Sequence, residues 1–248
     1  YAISNNVFNS INNLVGAVSN SIKPQIFISY SAGDYKRFNE LIIFGSKFFS
    51  IGVVIIVFPV IFFTDDILNL WLKYTPDYTV SFVRFMLVIL FLESLSIFLT
   101  MGIQAVGKIK IYQIYMGVLI LSSVPITYYL FKYGFFVEIF MYVLAVNTIF
   151  CFLSRLFFLQ KYSTFRIKEF VHKCLINILI ILVVIGVVDF GLFSFSKCFT
   201  SGSLDFLLVV SIMLLVNLMV VYFFAIDSTQ RKKINSFFLK NTNFPKFR

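Results

Sequence analysis

Six stretches of about twenty apolar residues, each nearly free of charge, govern what this chain can fold into. They fall at about 44–63, 80–101, 111–131, 135–158, 174–195 and 206–226. A run of that length and polarity suits an α-helix crossing a hydrocarbon layer about 30 Å thick. The connections between them are short and leave no room for a soluble domain. A water-soluble chain of 248 residues could bury one large core, but its helices would not need to be apolar all round. The expected fold class is therefore all-α, a polytopic transmembrane helical bundle.

Charge placement supplies an orientation. Seventeen of the 21 Lys and Arg fall in alternate connections: Lys23 to Lys47, Lys108 with Lys110, Arg155 to Lys173, and the tail after residue 226. The other connections hold only Lys73 with Arg84, then Lys132, then Lys197, and they carry Asp65, Asp66, Asp77, Glu138, Asp189 and Asp205. By the positive-inside rule the basic set faces the cytoplasm. The net charge of +10 is then explained by topology and anionic headgroups, with no need for nucleic acid.

The alternation requires the segment before Lys23 to come from outside. Residues 2–22 are long enough to cross, yet the stretch "NNVFNSINN" places five asparagines among nine residues. On a helix, Asn5, Asn9, Asn12, Gly16, Ser19 and Lys23 lie within about 40° of one line. Asn6, Asn13 and Asn20 widen that stripe on one side. Ile3, Val7, Phe8, Ile11, Leu14, Val15, Val18 and Ile22 fill the opposite half. This segregation predicts a seventh, amphipathic crossing whose amide face avoids lipid. The competing reading is a helix lying on the membrane surface, which ordinarily carries Lys and Arg on its polar face.

Glu93 is the sharpest single residue, because an ionisable group near the middle of 80–101 needs a cavity or a partner. Ser96, Thr100 and Gln104 follow at i+3, i+7 and i+11 on the same predicted face. A hydrated interior and a protonated Glu93 in a structural helix contact both account for it. Arg84 lies roughly 13 Å away on the opposite face of that helix, where it can snorkel to the interface or attract an anionic headgroup. Asn147 and Asn177 read as interhelical hydrogen bonds. Pro59 and Pro125 sit inside apolar spans and permit kinks, and Trp71, Tyr74 and Tyr78 read as an interfacial belt. The chain has no Walker A motif. His172 is its only histidine, and Cys151, Cys174 and Cys198 fall at different depths, so the sequence points to no metal, no cofactor, no disulfide and no catalysis.

Three stretches carry a family resemblance. "SIKPQIFISYSAGDYKRFNELIIFGSKFF" (residues 21–49) reads as a helix ending at Pro-Gln-Ile, a loop, a short cytoplasmic amphipathic piece, and Gly-Ser-Lys opening the next helix. With "ILNLWLKYTPDYTVSFVRFML" (67–87) and "IQAVGKIKIYQI" (103–114), it resembles the Wzx-type polysaccharide flippases of the multidrug/oligosaccharidyl-lipid/polysaccharide superfamily. The similarity weakens after about Arg166. It implies a two-lobed protein of twelve to fourteen helices that moves undecaprenyl-diphosphate-linked oligosaccharide between leaflets of the bacterial inner membrane by alternating access. Residues 1–160 would belong to the C-terminal lobe, with helices at about 2–22, 44–63, 80–101, 111–131 and 135–158. Residues 161–248 would add two further helices, about 174–195 and 206–226, and a basic cytoplasmic tail. The chain opens at Tyr1 without methionine, charged leader or cleavage site, so it is expected to be cut from something longer, with an N-terminal lobe as partner.

On this reading the cavity-lining residues are Asn5, Asn9, Asn12, Asn13, Glu93, Ser96, Thr100 and Gln104, with Lys47 and Arg84 as candidate phosphate contacts. The implied partners are a lipid-linked oligosaccharide, membrane lipids and a glycan polymerase. Alternatives are a cation-coupled small-molecule exporter, a glycan polymerase or ligase, and a non-transporting scaffold half. The outer connections are short for a polymerase. The charge alternation sets a first test: cysteines at Lys36 and Lys161 should resist a membrane-impermeant thiol reagent applied to intact cells, while one at Asp77 should label. Labelling at Lys36 would reverse the orientation.

Overall fold

The computed structural model describes residues 2–72, 75–199 and 205–224. Lys73, Tyr74 and the basic tail after residue 226 lie outside the described residues, as do the side chains of Leu14, Val15, Val18, Lys197, Cys198 and Asp205. Among the described residues every regular element is helical. In chain order they are α1 (Ala2–Ser31), α2 (Tyr35–Phe62), α3 (Thr64–Trp71), α4 (Thr79–Ser94), α5 (Ile97–Val106), α6 (Ile109–Lys132), α7 (Ile139–Tyr162), α8 (Ile167–Phe170), α9 (Ile176–Phe199) and α10 (Asp205–Phe224). A single π turn, Val171–Leu175, joins α8 to α9.

Among the described residues six helical segments are long and apolar enough to cross a membrane: Tyr35–Phe62, Thr79–Val106, Ile109–Lys132, Ile139–Tyr162, Ile167–Ser196 and Phe206–Phe223. The asparagines of α1 keep it out of that set. Its 30 residues nevertheless make about 45 Å of helix, and it packs against α2, α4 and α5. Ser4, Ile11, Ser19, Ile26 and Ser29 are buried along that length. A helix buried from its first turn to its last belongs to the bundle, which gives about seven crossings. The small serines let its backbone approach its neighbours closely.

Several boundaries differ from the sequence expectation, each for a local reason. Helix α1 does not end at Pro24 but carries it internally and runs to Ser31. Its stop is Gly33, at φ 75°. There the Gly33 amide bonds Tyr30 O at 3.1 Å and the Asp34 amide bonds Ser29 O at 3.0 Å, the paired closure that a left-handed residue permits. Asp34 then starts α2 at once, its carboxylate accepting from the Arg37 amide at 3.0 Å. The amphipathic piece expected before residue 44 is the first part of α2 itself, because Phe38, Ile42 and Ile43 continue its buried face. Gly-Ser-Lys thus lies inside a helix and does not open one.

The span expected at 80–101 is two helices, broken at Leu95–Ser96. Ser94 Oγ donates to Phe91 O at 2.6 Å and Ser96 Oγ to Glu93 O at 3.0 Å. Hydroxyls bonding their own backbone on both sides of one residue bend a helix at that point. The break also ends the regular phase that put Glu93, Ser96, Thr100 and Gln104 on one face.

The core is centred on α2, which touches α1, α3, α4, α5, α9, α10 and the π turn. Two glycines set the closest approaches. A β-carbon on Gly45 of α2 would overlap the Phe98 ring of α5, and one on Gly102 would stand 2.7 Å from Ile42 and 3.1 Å from Leu159. Phe98 and Leu159 are fully buried. Helix α5 is therefore wedged between α2 and α7. Asp189, expected in an outer connection, sits inside α9 and accepts from Asn217 Nδ2 of α10 at 2.9 Å, both side chains fully buried. That bond ties the last two helices together. Gly45→Ala should cost about 1–3 kcal/mol of stability by overpacking, read as a lower thermal unfolding midpoint in detergent. Adding Phe98→Leu should recover part of the loss, and no recovery would mean that the Gly45–Phe98 contact does not set the approach.

Candidate functional site

Four helices surround a cavity of about 270 Å³. Helix α7 contributes Leu144, Asn147, Thr148, Cys151 and Arg155, and α4 contributes Met86, Ile89 and Glu93. Both sets follow helical spacing, so each is one continuous face. Asn5 and Phe8 come from α1, and Ile120 and Ser123 from α6. One cationic and one anionic side chain thus enter a single cavity whose other walls mix apolar and neutral polar residues.

Arg155 is the residue that sequence reasoning missed. The charge pattern assigns it to the connection ending at Lys173, but it lies within α7, seven residues before the helix end and roughly 10 Å along the axis. Its Nε donates to Tyr112 Oη of α6 at 3.3 Å, and its Nη1 donates to Ser96 Oγ. Ser96 is fully buried at the break between α4 and α5, so the break presents its hydroxyl to the guanidinium. These contacts leave Arg155 without a carboxylate within 4.0 Å, since the ion pairs among the described residues are Arg84–Asp65, Arg166–Glu169 and Lys173–Glu169. The signal available in the sequence was the spacing Asn147, Thr148, Cys151, Arg155, which puts one polar stripe along a helix otherwise apolar.

The Glu93 carboxylate makes no hydrogen bond or ion pair with the described residues and faces the cavity. A half-buried carboxylate and guanidinium offset each other's charge across a low-polarity space more strongly than across water. Asn147 donates to Leu119 O at 2.9 Å, the interhelical bond expected of it, and its Oδ1 lies 4.0 Å from Cys151 Sγ. Asn177 bonds Lys173 O of its own helical segment at 2.8 Å, which is not the interhelical bond expected.

Of the residues singled out in the sequence, the structure brings Asn5 and Glu93 into the cavity lining, with Ser96 directly behind it through Arg155. Asn9, Asn12, Asn13, Thr100 and Gln104 are outside that lining. Asn9 and Asn13 are exposed on the flank of α1, and Asn12, Thr100 and Gln104 are half-buried. Arg84 is held elsewhere, paired with Asp65 at 2.7 Å and donating to Ile61 O at 3.3 Å. Lys47 lines a separate groove between α2 and the start of α9. Among the described residues no group of three or more His, Cys, Asp or Glu could hold a metal ion, and Cys151 and Cys174 are free thiols.

No protein-family model, curated protein or solved structure matches this chain.

The cavity should be wet. With Cys151, Cys174 and Cys198 replaced by alanine, cysteines at Asn5 and Thr148 should react with a small charged thiol reagent. A cysteine at Ile181, buried in the core, should not. Equal rates at all three positions would mean the polar faces are packing features.

Proposed function

We propose that this chain works as part of a membrane transporter whose substrate is an anionic amphiphile. Following the family resemblance, that substrate is undecaprenyl-diphosphate-linked oligosaccharide, moved from the cytoplasmic to the periplasmic leaflet of a bacterial inner membrane. The observation that carries the reading is the cavity shared by Glu93 and Arg155 within membrane-crossing helices. Charges are kept at that depth chiefly where ions or polar substrates pass.

Each lining group suits a part of such a substrate. Arg155 offers a planar fork of donors matched to phosphate oxygens. Asn5 and Asn147 offer amide donors and acceptors to sugar hydroxyls without adding charge. Glu93 offsets Arg155 while the cavity is empty. When a diphosphate takes over that role, the carboxylate must bind a proton or cation or be turned away, which links substrate binding to an ion. Nothing in this scheme breaks a covalent bond, and we read the protein as a carrier rather than an enzyme. A second reading, a cation-coupled exporter of small molecules, draws on the free carboxylate of Glu93 beside the apolar side chains of Phe8, Met86 and Ile89.

The two readings separate on Arg155. In the full-length protein at equal membrane abundance, Arg155→Gln should lower surface polysaccharide about tenfold or more, the scale of losing a charge-assisted contact. Arg155→Lys should keep part of the activity. Glu93→Gln should bind lipid-linked oligosaccharide yet deliver less of it. Unchanged polysaccharide in Arg155→Gln would sink the flippase reading, and loss of drug resistance in Glu93→Gln alone would favour the exporter.

A further inference from the structure

A second polar site lies between α2 and the segment entering α9, away from the Glu93 cavity. Here a groove of about 390 Å³ is lined by Lys47, His172, Lys173 and Asn177, with Glu40 at its rim. Lys47 is unusual among the lysines. It is 92% buried (8% exposed), yet it makes no hydrogen bond and no ion pair with the described residues. The Phe48 ring centroid is 5.8 Å from its Nζ. The stem is covered while the ammonium, unpaired among the described residues, opens into the groove, where a ligand can supply its counter-charge.

The surroundings state what that counter-charge is attached to. The π turn places His172 and Lys173 beside Lys47, and both are exposed. Lys173 keeps Glu169 at 3.6 Å, so its charge is partly offset, and Glu40 is an exposed carboxylate open to water. The lips of the groove are apolar: Phe44 is 44% exposed and Ile176 41%. From Ile178 to Val188 the chain is unbroken hydrocarbon, whereas Lys168 and Lys173 precede it. The groove therefore sits where the helix passes from charged to apolar, the level of lipid headgroups.

We propose that this groove binds the phosphate of an anionic membrane lipid. Lys47 is the anchor, His172, Lys173 and Asn177 supply further donors, and the acyl chains cover Phe44 and Ile176. A free phosphate satisfies the same donors but leaves the apolar lips in water, and for that reason the lipid is the assigned source. The proposal is independent of the transport reading, because none of these residues lines the Glu93 cavity.

The test uses the purified chain in neutral detergent, titrated with phosphatidylglycerol, phosphatidylcholine or inorganic phosphate, with bound lipid counted by native mass spectrometry. Phosphatidylglycerol should bind saturably and more tightly than phosphatidylcholine, and equal inorganic phosphate should not displace it. Lys47→Gln should weaken phosphatidylglycerol about tenfold or more, while Lys168→Gln, outside the groove, should leave it unchanged. Full affinity in Lys47→Gln, equal binding of the two lipids, or displacement by inorganic phosphate would each overturn the assignment. If Lys47→Gln does not accumulate, Lys47→Arg should still bind, and the exposed pair His172→Gln with Lys173→Gln should bind several-fold more weakly. Unchanged affinity in that pair would be equally damaging.

Discussion

A guanidinium placed part-way along a membrane-crossing helix must find its partners inside the bundle, because hydrocarbon offers none. Arg155 meets this demand with three neighbours from three helical segments. Tyr112 and Ser96 take its hydrogens, and Glu93 faces the same cavity with the opposite charge. The Ser96 contact exists only because α4 and α5 part at Leu95–Ser96, which turns that hydroxyl inward. The break, the cavity and the free carboxylate are thus parts of one solution to a single charge.

The apolar packing is what brings these partners within reach. Gly102 lets α5 lie against both Ile42 of α2 and Leu159 of α7, and Leu159 is one turn beyond Arg155. Gly45 admits the Phe98 ring one turn earlier on α5, against the same helix α2. With a β-carbon at either glycine, α5 would stand off and carry Ser96 away from the guanidinium. Burial in the centre of the bundle therefore fixes the geometry of a polar site at its edge. The outer faces of α6 and α7, by contrast, expose Ile114, Leu121, Val124, Phe150 and Phe157, as lipid-facing surfaces do.

How much of this was legible depended on whether the signal was local in sequence. Apolar runs of helical length mark the crossings directly, and the all-α class followed from them. Helix ends were harder. The hydrophobic run of α2 begins near residue 44, but the helix begins at Tyr35, just after its cap Asp34, because the buried Phe38 stands among Lys36, Arg37, Asn39 and Glu40, which a window average lets outweigh it. Pro24 suggested a stop that Gly33 supplies instead. The site was half legible: Glu93 and Asn5 stood out as polar residues at membrane depth. Arg155 did not, because a count of charges near helix ends records nothing about depth. Arg84 found Asp65, 19 residues earlier, a pairing no periodicity forecasts.

Glu93 and Arg155 share one cavity within membrane-crossing helices, and their charges should be coupled across it. The most direct measurement is a double-mutant cycle on thermal unfolding in detergent, with Glu93→Gln, Arg155→Gln and both together. The double variant should lose less stability than the two singles combined, by about 1 kcal/mol or more, as expected for groups that share a field. Losses that add to within about 0.5 kcal/mol would mean the two charges act independently, and would contradict that coupling.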